Sequence, residues 1–226
     1  MRLSTLLAPS LLAALLATTA CTGGDPAPEG QETEQPKKKK TIGGLKFHDF
    51  TGQEPTNPEA KGKPIRGEGV ALVNAEGKEV TLASLLGKPL VLVFMRGFNG
   101  DICPYCTTYT AQMAARYAEF REAGAEILVV YPTREGDAEQ VKVFKDIVKD
   151  ILSTEGEAAI PFPVYLDLGT RVVKHYNLVG DLSKPSTFVL DPEGKIQYLY
   201  VGRDTDDRPA LDRVLEEVRR MNHKKG

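Results

Sequence analysis

The sequence predicts an α/β domain in which helices cover a mixed central β-sheet. Two short, largely apolar segments, Leu90–Met95 and Glu126–Tyr131, have the length and β-branched composition of strands buried on both faces of a sheet. Each is followed by apolar residues at helical spacing, and a hairpin pattern and an amphipathic helix come later in the chain. Strand–helix repeats favour parallel strands, whereas hairpins add antiparallel ones, so we expect both kinds in one sheet.

The first predicted element is an N-terminal β-hairpin. Its strands, Val70–Val73 and Val80–Leu82, flank a turn signal at Glu76-Gly77-Lys78. After the first buried strand, apolar side chains recur at helical spacing from Cys106 to Phe120, which predicts a single helix. Gly124 marks the expected end of that helix.

The second half of the domain repeats strands and helices. Asp137 and Gln140 have the spacing of a capping box, which predicts the start of a second long helix. Pro209 is expected to open the last helix, because proline is favoured in the first helical turn. Between them the sequence predicts a short strand, a short helix and two strands joined as an antiparallel hairpin: Phe162–Leu166, Arg171–Tyr176, Thr187–Leu190 and Ile196–Val201.

Composition restricts the class of protein. The chain has 226 residues, of which 41% are hydrophobic and 27% charged, and its net charge is −2. These values fit a globular domain with appendages, and the near-neutral charge argues against a protein that binds nucleic acid through bulk electrostatics. The three cysteines, Cys21, Cys103 and Cys106, are too few for a disulfide-stapled scaffold.

The N-terminal segment has the pattern of an export signal. Arg2 is followed by the apolar stretch Leu6–Ala17 and by small residues that lead to Cys21. This resembles a bacterial lipoprotein signal, in which the cysteine becomes the lipidated N-terminus, although Thr18 stands where such signals prefer leucine. Cleavage by the ordinary signal peptidase, which would give a secreted periplasmic protein, is the alternative. The expected organisation, in the bacterial cell envelope, is a signal peptide at 1–20, a lipidation site and disordered tether at 21–40, and one domain at 41–226.

Cys103 and Cys106 carry the expected chemistry. Cys103 lies at a strand–helix junction, where amide N–H groups and the helix dipole stabilise a thiolate, and Cys106 lies one turn further, close enough to form a disulfide. This favours a redox-active pair in which Cys103 attacks a disulfide sulfur or a peroxide oxygen and Cys106 resolves the intermediate. A static disulfide is one alternative. Cu(I) binding by both thiolates, assisted by His48 or His175, is another, whereas a zinc site lacks its remaining ligands.

Several motifs occur together around this pair. Arg96-Gly97 follows the apolar strand, Cys103–Cys106 spells Cys-Pro-Tyr-Cys, and Lys184–Asp191 spells Lys-Pro-Ser-Thr-Phe-Val-Leu-Asp. The combination resembles the redoxin branch of the thioredoxin superfamily, which is related to the peroxiredoxins (the alkyl hydroperoxide reductase/thiol-specific antioxidant family). The resemblance covers most of Gly67–Arg220. It implies a thioredoxin-like fold and an oxidoreductase that needs no cofactor and no metal.

The same resemblance implies roles for residues near the cysteines. Pro185 would be a cis-proline lying against the pair, the alternative being an ordinary trans proline that enters a strand. Lys184 and Ser186 would frame a substrate groove. Pro104 and Tyr105 would complete that groove, with Tyr105 exposed beside the pair and available to partners.

One departure from the peroxiredoxin pattern concerns the loop before Cys103. Gly100 stands where peroxiredoxins carry the Thr or Ser that helps to orient a peroxide, and Arg96 stands at the position of their proline. The hydroxyl is therefore missing unless Thr107 or Thr108 supplies it, which favours dithiol exchange over peroxide reduction. Arg96 is expected either to stabilise the thiolate or a peroxide oxygen, or to form a surface ion pair.

Together these observations predict an extracytoplasmic thiol–disulfide oxidoreductase with Cys103 as nucleophile and Cys106 as resolving thiol. Its partners would be protein or small-molecule disulfides, an unidentified thiol electron donor, and the membrane through a lipid on Cys21, with no nucleic acid. A peroxiredoxin-like peroxidase that reduces hydroperoxides is the first alternative. A Cu(I)-binding chaperone or sensor is the second. His48, His175 and His223 receive no role.

Overall fold

A seven-stranded mixed sheet forms the centre of the structure, a computed structural model that describes residues 41–42, 45–46, 48–65, 70–153 and 159–223. The predicted signal peptide, Cys21 and the tether lie outside the described residues. The elements in chain order are β1 Thr41–Ile42, β2 Leu45–Lys46, β3 Ala71–Val73, β4 Glu79–Thr81, β5 Leu90–Phe94, α1 Pro104–Ala115, α2 Tyr117–Glu122, β6 Glu126–Thr133, α3 Gln140–Ser153, β7 Val164–Leu168, α4 Arg171–His175, β8 Ser186–Leu190, β9 Ile196–Val201 and α5 Leu211–His223.

The sheet has the strand order β4-β3-β7-β6-β5-β8-β9. Strands β5, β6 and β7 run parallel, while β3–β4, β3–β7, β5–β8 and β8–β9 are antiparallel pairs. The predicted mixed sheet, the N-terminal hairpin formed by β3 and β4, and the hairpin formed by β8 and β9 are therefore confirmed. Strands β1 and β2 pair with each other in a separate two-stranded ladder.

Each face of the sheet carries its own hydrophobic core. Residues of β5 alternate between the two cores, with Val91 and Val93 on one face and Leu90, Leu92 and Phe94 on the other. Helices α1, α2, α3 and α5 cover the first face, and α4 covers the second. Every residue of β5 is buried, as its continuous apolar sequence predicts. Among the described residues, no helix is both long and apolar enough to cross a membrane.

Four predicted boundaries are wrong. The single helix expected to run through Phe120 breaks at Arg116, whose guanidinium pairs with Glu119 and with Asp212 of α5. Strand β7 begins two residues late, at Val164, and α3 begins at Gln140 because a 3₁₀ turn occupies 135–137. Helix α5 begins at Leu211. Pro209 instead bridges to Gly52, a pairing between distant segments that local sequence does not reveal.

The loop between β5 and α1 is held against β6. Gly97 has a φ of +83°, and a Cβ atom there would lie 2.0 Å from the carbonyl oxygen of Pro132. The backbone N–H of Phe98 donates to the same carbonyl at 3.1 Å. Only glycine combines this positive φ with so close a backbone approach, so Gly97 fixes the path of the chain into the cysteine motif.

Candidate active site

The two cysteines lie at the start of α1, which follows β5 after the loop of residues 95–102. Cys103 is the N-cap residue, and its carbonyl accepts hydrogen bonds from the N–H groups of Cys106 and Thr107 at 3.1 and 3.3 Å. Pro104 occupies the first helical turn, where its missing N–H costs no hydrogen bond. The predicted strand–helix junction is confirmed. Cys103 is only 2% exposed and Cys106 is fully buried.

The two thiols differ in protonation. A hydrogen bond from the Cys106 side chain, helped by the Cys106 N–H and by the charges of Arg208 and Arg96, lowers the pKa of Cys103 to about 6 against the opposing effect of burial. Burial raises the pKa of Cys106 well above its ordinary value. At neutral pH Cys103 is therefore a thiolate and Cys106 a protonated thiol that donates to it. Both cysteines are free in this structure.

Arg208 is the main residue of the site that the sequence did not reveal. Its Nη2 donates to Cys106 Sγ at 3.3 Å although the two residues are 102 positions apart, and its side chain is almost fully buried. The guanidinium lies 5.5 Å from the ring centroid of Phe50 and 5.7 Å from that of Tyr109, and it also donates to the Thr205 carbonyl. In the sequence, Arg208 belongs to the charged segment 203–208, which has the composition of a solvated turn.

A segment from the N-terminal side holds Arg208 and Tyr105 in place. The N–H of Gly52 donates to the Arg208 carbonyl at 3.1 Å, and Phe50 packs beneath the guanidinium. The His48 ring lies 5.0 Å from the Tyr105 ring, and the His48 carbonyl accepts a hydrogen bond from Gln112. Tyr105 is therefore half-buried rather than exposed as expected, because this segment covers one side of it.

Arg96 forms the ion pair that is one of its two expected roles, while its role toward a peroxide stays a prediction. Its Nη2 donates to the carbonyl oxygen of Asp101 at 3.0 Å and to the carboxylate at 2.9 Å, which forms the expected ion pair at the surface. The rest of the side chain is nearly buried, and its positive charge lowers the pKa of Cys103. Arg96 thus links the loop before α1 to the thiolate.

Residues 49–199 match the AhpC/TSA family. The chain is 30% identical over 182 residues to peroxiredoxin Q of Sedum lineare, covering 75% of this chain and 89% of that protein. It is 31% identical over 133 residues to the wheat (Triticum aestivum) chloroplastic peroxiredoxin Q, covering 57% of this chain and about half, 54%, of the wheat protein.

The chain belongs to the AhpC/TSA family. The mitochondrial 2-Cys peroxiredoxin of Plasmodium falciparum has the same fold, with a TM-score of 0.55 and 19% identity over 73% of this chain and 95% of that one. The expected thioredoxin-like architecture is confirmed. Membership places this chain in the class of thiol-dependent oxidoreductases, in agreement with its stabilised thiolate and neighbouring thiol.

The hydroxyl of Thr107 does not replace the peroxide-orienting hydroxyl that is missing at Gly100. The Thr107 hydroxyl is buried and donates to the Pro104 carbonyl at 2.8 Å, one turn back along α1. Thr108 is half-buried on the same helix. This local hydrogen bond occupies the Thr107 hydroxyl, since a threonine in a helix readily donates to a carbonyl of the preceding turn.

The 184–186 segment lies beside the end of β5 from which the chain leads to the cysteines. Ser186 pairs with Phe94 at the end of β5, and the buried Pro185 accepts a hydrogen bond from the Gly202 N–H at 2.7 Å. Lys184 is exposed, as a groove residue should be. The hydroxyl of Ser186 instead is buried and donates to the Lys184 carbonyl at 3.0 Å, so it supports the segment from inside. The cis conformation of Pro185 stays a prediction.

The described residues contain no group of three or more His, Cys, Asp or Glu side chains arranged to hold a metal ion. The His48 ring packs against Phe50 and Tyr105, at 4.8 and 5.0 Å. His175 lies on α4, which covers the opposite face of the sheet, with its ring 4.9 Å from that of Tyr176. His175 therefore lies on the face of the sheet opposite to the cysteines, and it cannot be a third ligand for Cu(I) bound by their thiolates.

Proposed function

We propose that this AhpC/TSA chain is a thiol peroxidase in which Cys103 reduces a hydroperoxide and Cys106 resolves the product. The observation that carries the proposal is a stabilised thiolate on a residue only 2% exposed. A disulfide on the surface of a folded protein cannot easily reach such a sulfur, whereas a hydroperoxide presents two small oxygen atoms. This burial favours the peroxidase over the disulfide oxidoreductase that the motif alone predicts.

The proposed cycle uses only these two thiols and an external donor. The Cys103 thiolate attacks one peroxide oxygen, so an S–O bond forms, the O–O bond breaks, and Cys103 becomes a sulfenic acid while the peroxide is reduced. The leaving alkoxide takes the proton of Cys106. The Cys106 thiolate then attacks Cys103 sulfur, an S–S bond forms, and hydroxide leaves. A dithiol donor reduces the disulfide and completes the cycle.

The contact between the two side chains supports resolution within the helix. The N–H of Cys106 donates to the Cys103 carbonyl at 3.1 Å, so the two residues lie in the same turn at the start of α1. The attack on a sulfenic acid therefore needs no unfolding of α1 beyond its first turn. Thiol–disulfide exchange, the main prediction from the sequence, remains in this cycle as the step in which the donor reduces the pair.

The direct test uses the full-length protein with dithiothreitol as donor. Hydrogen peroxide and tert-butyl hydroperoxide should be consumed with one dithiothreitol oxidised per peroxide. Insulin disulfides, in a parallel assay, should be reduced no faster than by dithiothreitol alone. Rapid insulin reduction without peroxide turnover would reverse the proposal in favour of protein disulfide exchange.

We further propose that this peroxidase is held in the bacterial cell envelope by a lipid on Cys21, with residues 1–20 removed as a signal peptide. The support is the sequence pattern alone. In a bacterial host fed labelled palmitate, the full chain should carry the label and sediment with membranes. The Cys21→Ala variant should lose both properties, whereas Cys103→Ser should keep them. A soluble, unlabelled wild-type protein in the periplasm would instead indicate ordinary secretion.

A further inference from the structure

Unpaired polar atoms surround the two cysteines. Within the described part of the chain, the buried atoms Tyr131 Oη, Arg96 Nε and Arg208 Nε have no hydrogen-bond partner, and the hydroxyl of Thr110 on α1 is a fourth such atom. Tyr131 is fully buried and Arg208 nearly so. Buried donors without partners are rare, because each one loses its hydrogen bonds to water and gains nothing in return. Three such atoms, on Tyr131, Arg96 and Arg208, occur near one pair of thiols, which indicates a site that binds a polar group.

The backbone of β6 positions Tyr131 beside the loop that leads to Cys103. The N–H of Met95 donates to the Val130 carbonyl at 2.9 Å, and that of Phe98 donates to the Pro132 carbonyl at 3.1 Å, so hydrogen bonds on both sides of Tyr131 join the two segments. Tyr131 also belongs to the same hydrophobic core as both cysteines. Its ring stacks on Phe144, with 4.5 Å between centroids and 29° between planes, and this contact fixes its orientation.

The Tyr131 hydroxyl stays protonated at the site. Burial raises its pKa, and negative charge on Cys106 or Cys103 raises it further, while Arg96 opposes the shift. The group is therefore a hydrogen-bond donor within electrostatic reach of both sulfurs and of the Arg96 guanidinium. A hydroxyl is the chemical group that Gly100 lacks, and of the two unpaired buried hydroxyls, Tyr131 Oη and Thr110 Oγ1, that of Tyr131 belongs to the strand bonded to the loop that leads to Cys103.

We propose that Tyr131 is a catalytic residue whose hydroxyl donates a hydrogen bond to the peroxide oxygen atoms at Cys103. This inference rests on the proposed peroxidase function. As the O–O bond breaks, negative charge develops on the leaving oxygen, and a fixed donor in a site with little water stabilises it strongly. Tyr131 keeps its own proton, and Cys106 supplies the proton that the leaving alkoxide takes. β6 thus supplies the hydroxyl that the loop before α1 does not.

The Tyr131→Phe variant tests the proposal, because phenylalanine keeps the ring stacked on Phe144 and removes only the hydroxyl. The second-order rate constant for hydrogen peroxide, measured on the reduced full-length protein, should fall by about 10- to 100-fold. The rate constant for iodoacetamide, which attacks the same thiolate and transfers no oxygen, should stay within about twofold of wild type. The melting temperature should not fall, since an unpaired buried hydroxyl stabilises nothing.

The matched control is Tyr176→Phe, which removes a hydroxyl from the core on the opposite face of the sheet and should change neither rate. A wild-type peroxide rate in Tyr131→Phe would overturn the inference. An equal fall in both rates would overturn it as well, since the hydroxyl would then act on the thiolate and not on the oxygen. Wild-type protein that reacts with peroxide no faster than a free thiol would refute the peroxidase function itself, and the role of Tyr131 would fall with it.

Discussion

Replacing Cys103 with serine is expected to lower the rate constant for hydrogen peroxide at least ~1000-fold, because a serine hydroxyl, which stays protonated at neutral pH, replaces the thiol whose pKa is lowered to about 6. The measurement is peroxide consumption by the full-length protein with dithiothreitol. Cys106 remains in this variant, but burial holds it in the protonated form, so it cannot take over as nucleophile.

The Cys106→Ser variant should behave differently. A serine hydroxyl can still donate to the Cys103 thiolate, so the first reaction with peroxide should keep nearly its wild-type rate. Without added thiol it should stop after one equivalent, with Cys103 trapped as a sulfenic acid that dimedone labels. Cys106→Ala is the matched control. It removes the donor that contributes most to the low pKa of Cys103, so its first reaction at pH 7 should be slower.

These variants also decide which cysteine is the nucleophile. Arg208 donates to Cys106 and not to Cys103, which makes the reversed assignment the serious competitor. If Cys106→Ser abolished the first reaction while Cys103→Ser kept it, the nucleophile would be Cys106 and the resolving thiol Cys103. We expect the opposite because Cys103, and not Cys106, occupies the helix N-cap and has the lowered pKa.

Local patterns were sufficient to predict most of the sheet. Strands such as β5 and β8 lie within a residue of their predicted bounds, because a short apolar run flanked by turns encodes a buried strand locally. The position of Cys103 at a helix start was predictable for the same reason. The break at Arg116 was not, because the apolar spacing continues across it and the ion pair with Asp212 joins residues 96 positions apart in the chain.

In the site, too, the features that local sequence encodes were predicted, and those that depend on contacts between distant residues were not. The cysteine motif and Arg96 are neighbours in sequence, so the sequence alone associates them. Arg208, Tyr131 and Phe50 reach the cysteines from three other segments, and in each case the local sequence gives an ordinary explanation: a charged turn, a strand residue and a core aromatic. A tertiary contact is what turns them into candidates for function.

Replacing Arg208 with methionine is expected to have the second largest effect, a loss of about 100-fold in the rate constant for hydrogen peroxide at pH 7. The change removes the positive charge that helps to lower the pKa of Cys103. It also removes the hydrogen-bond donor to Cys106 Sγ. Methionine has similar length and packs well against aromatic rings, so the contacts with Phe50 and Tyr109 should largely persist.

A pH series separates the two contributions of Arg208. The thiolate is the reactive form, so the iodoacetamide rate should rise as pH increases through the pKa of Cys103 and level off above it, with a wild-type midpoint near the value of about 6. In Arg208→Met the midpoint should move to higher pH, while the plateau reached near pH 9 should match wild type and show that the site is intact. The loss of peroxide reactivity should persist on that plateau, because charge stabilisation of the leaving oxygen does not depend on how much thiolate is present.

Arg203→Met provides the control for charge on the same loop. Its side chain is 87% exposed and pairs with Asp207, so its removal should leave both the midpoint and the peroxide rate close to wild type. If Arg203→Met and Arg208→Met produced equal effects, the overall charge of the loop would be responsible and not a contact with the sulfurs. If instead the peroxide defect of Arg208→Met vanished on the high-pH plateau, Arg208 would act only by ionising Cys103, and stabilisation of the leaving oxygen would then rest on Tyr131 and Arg96.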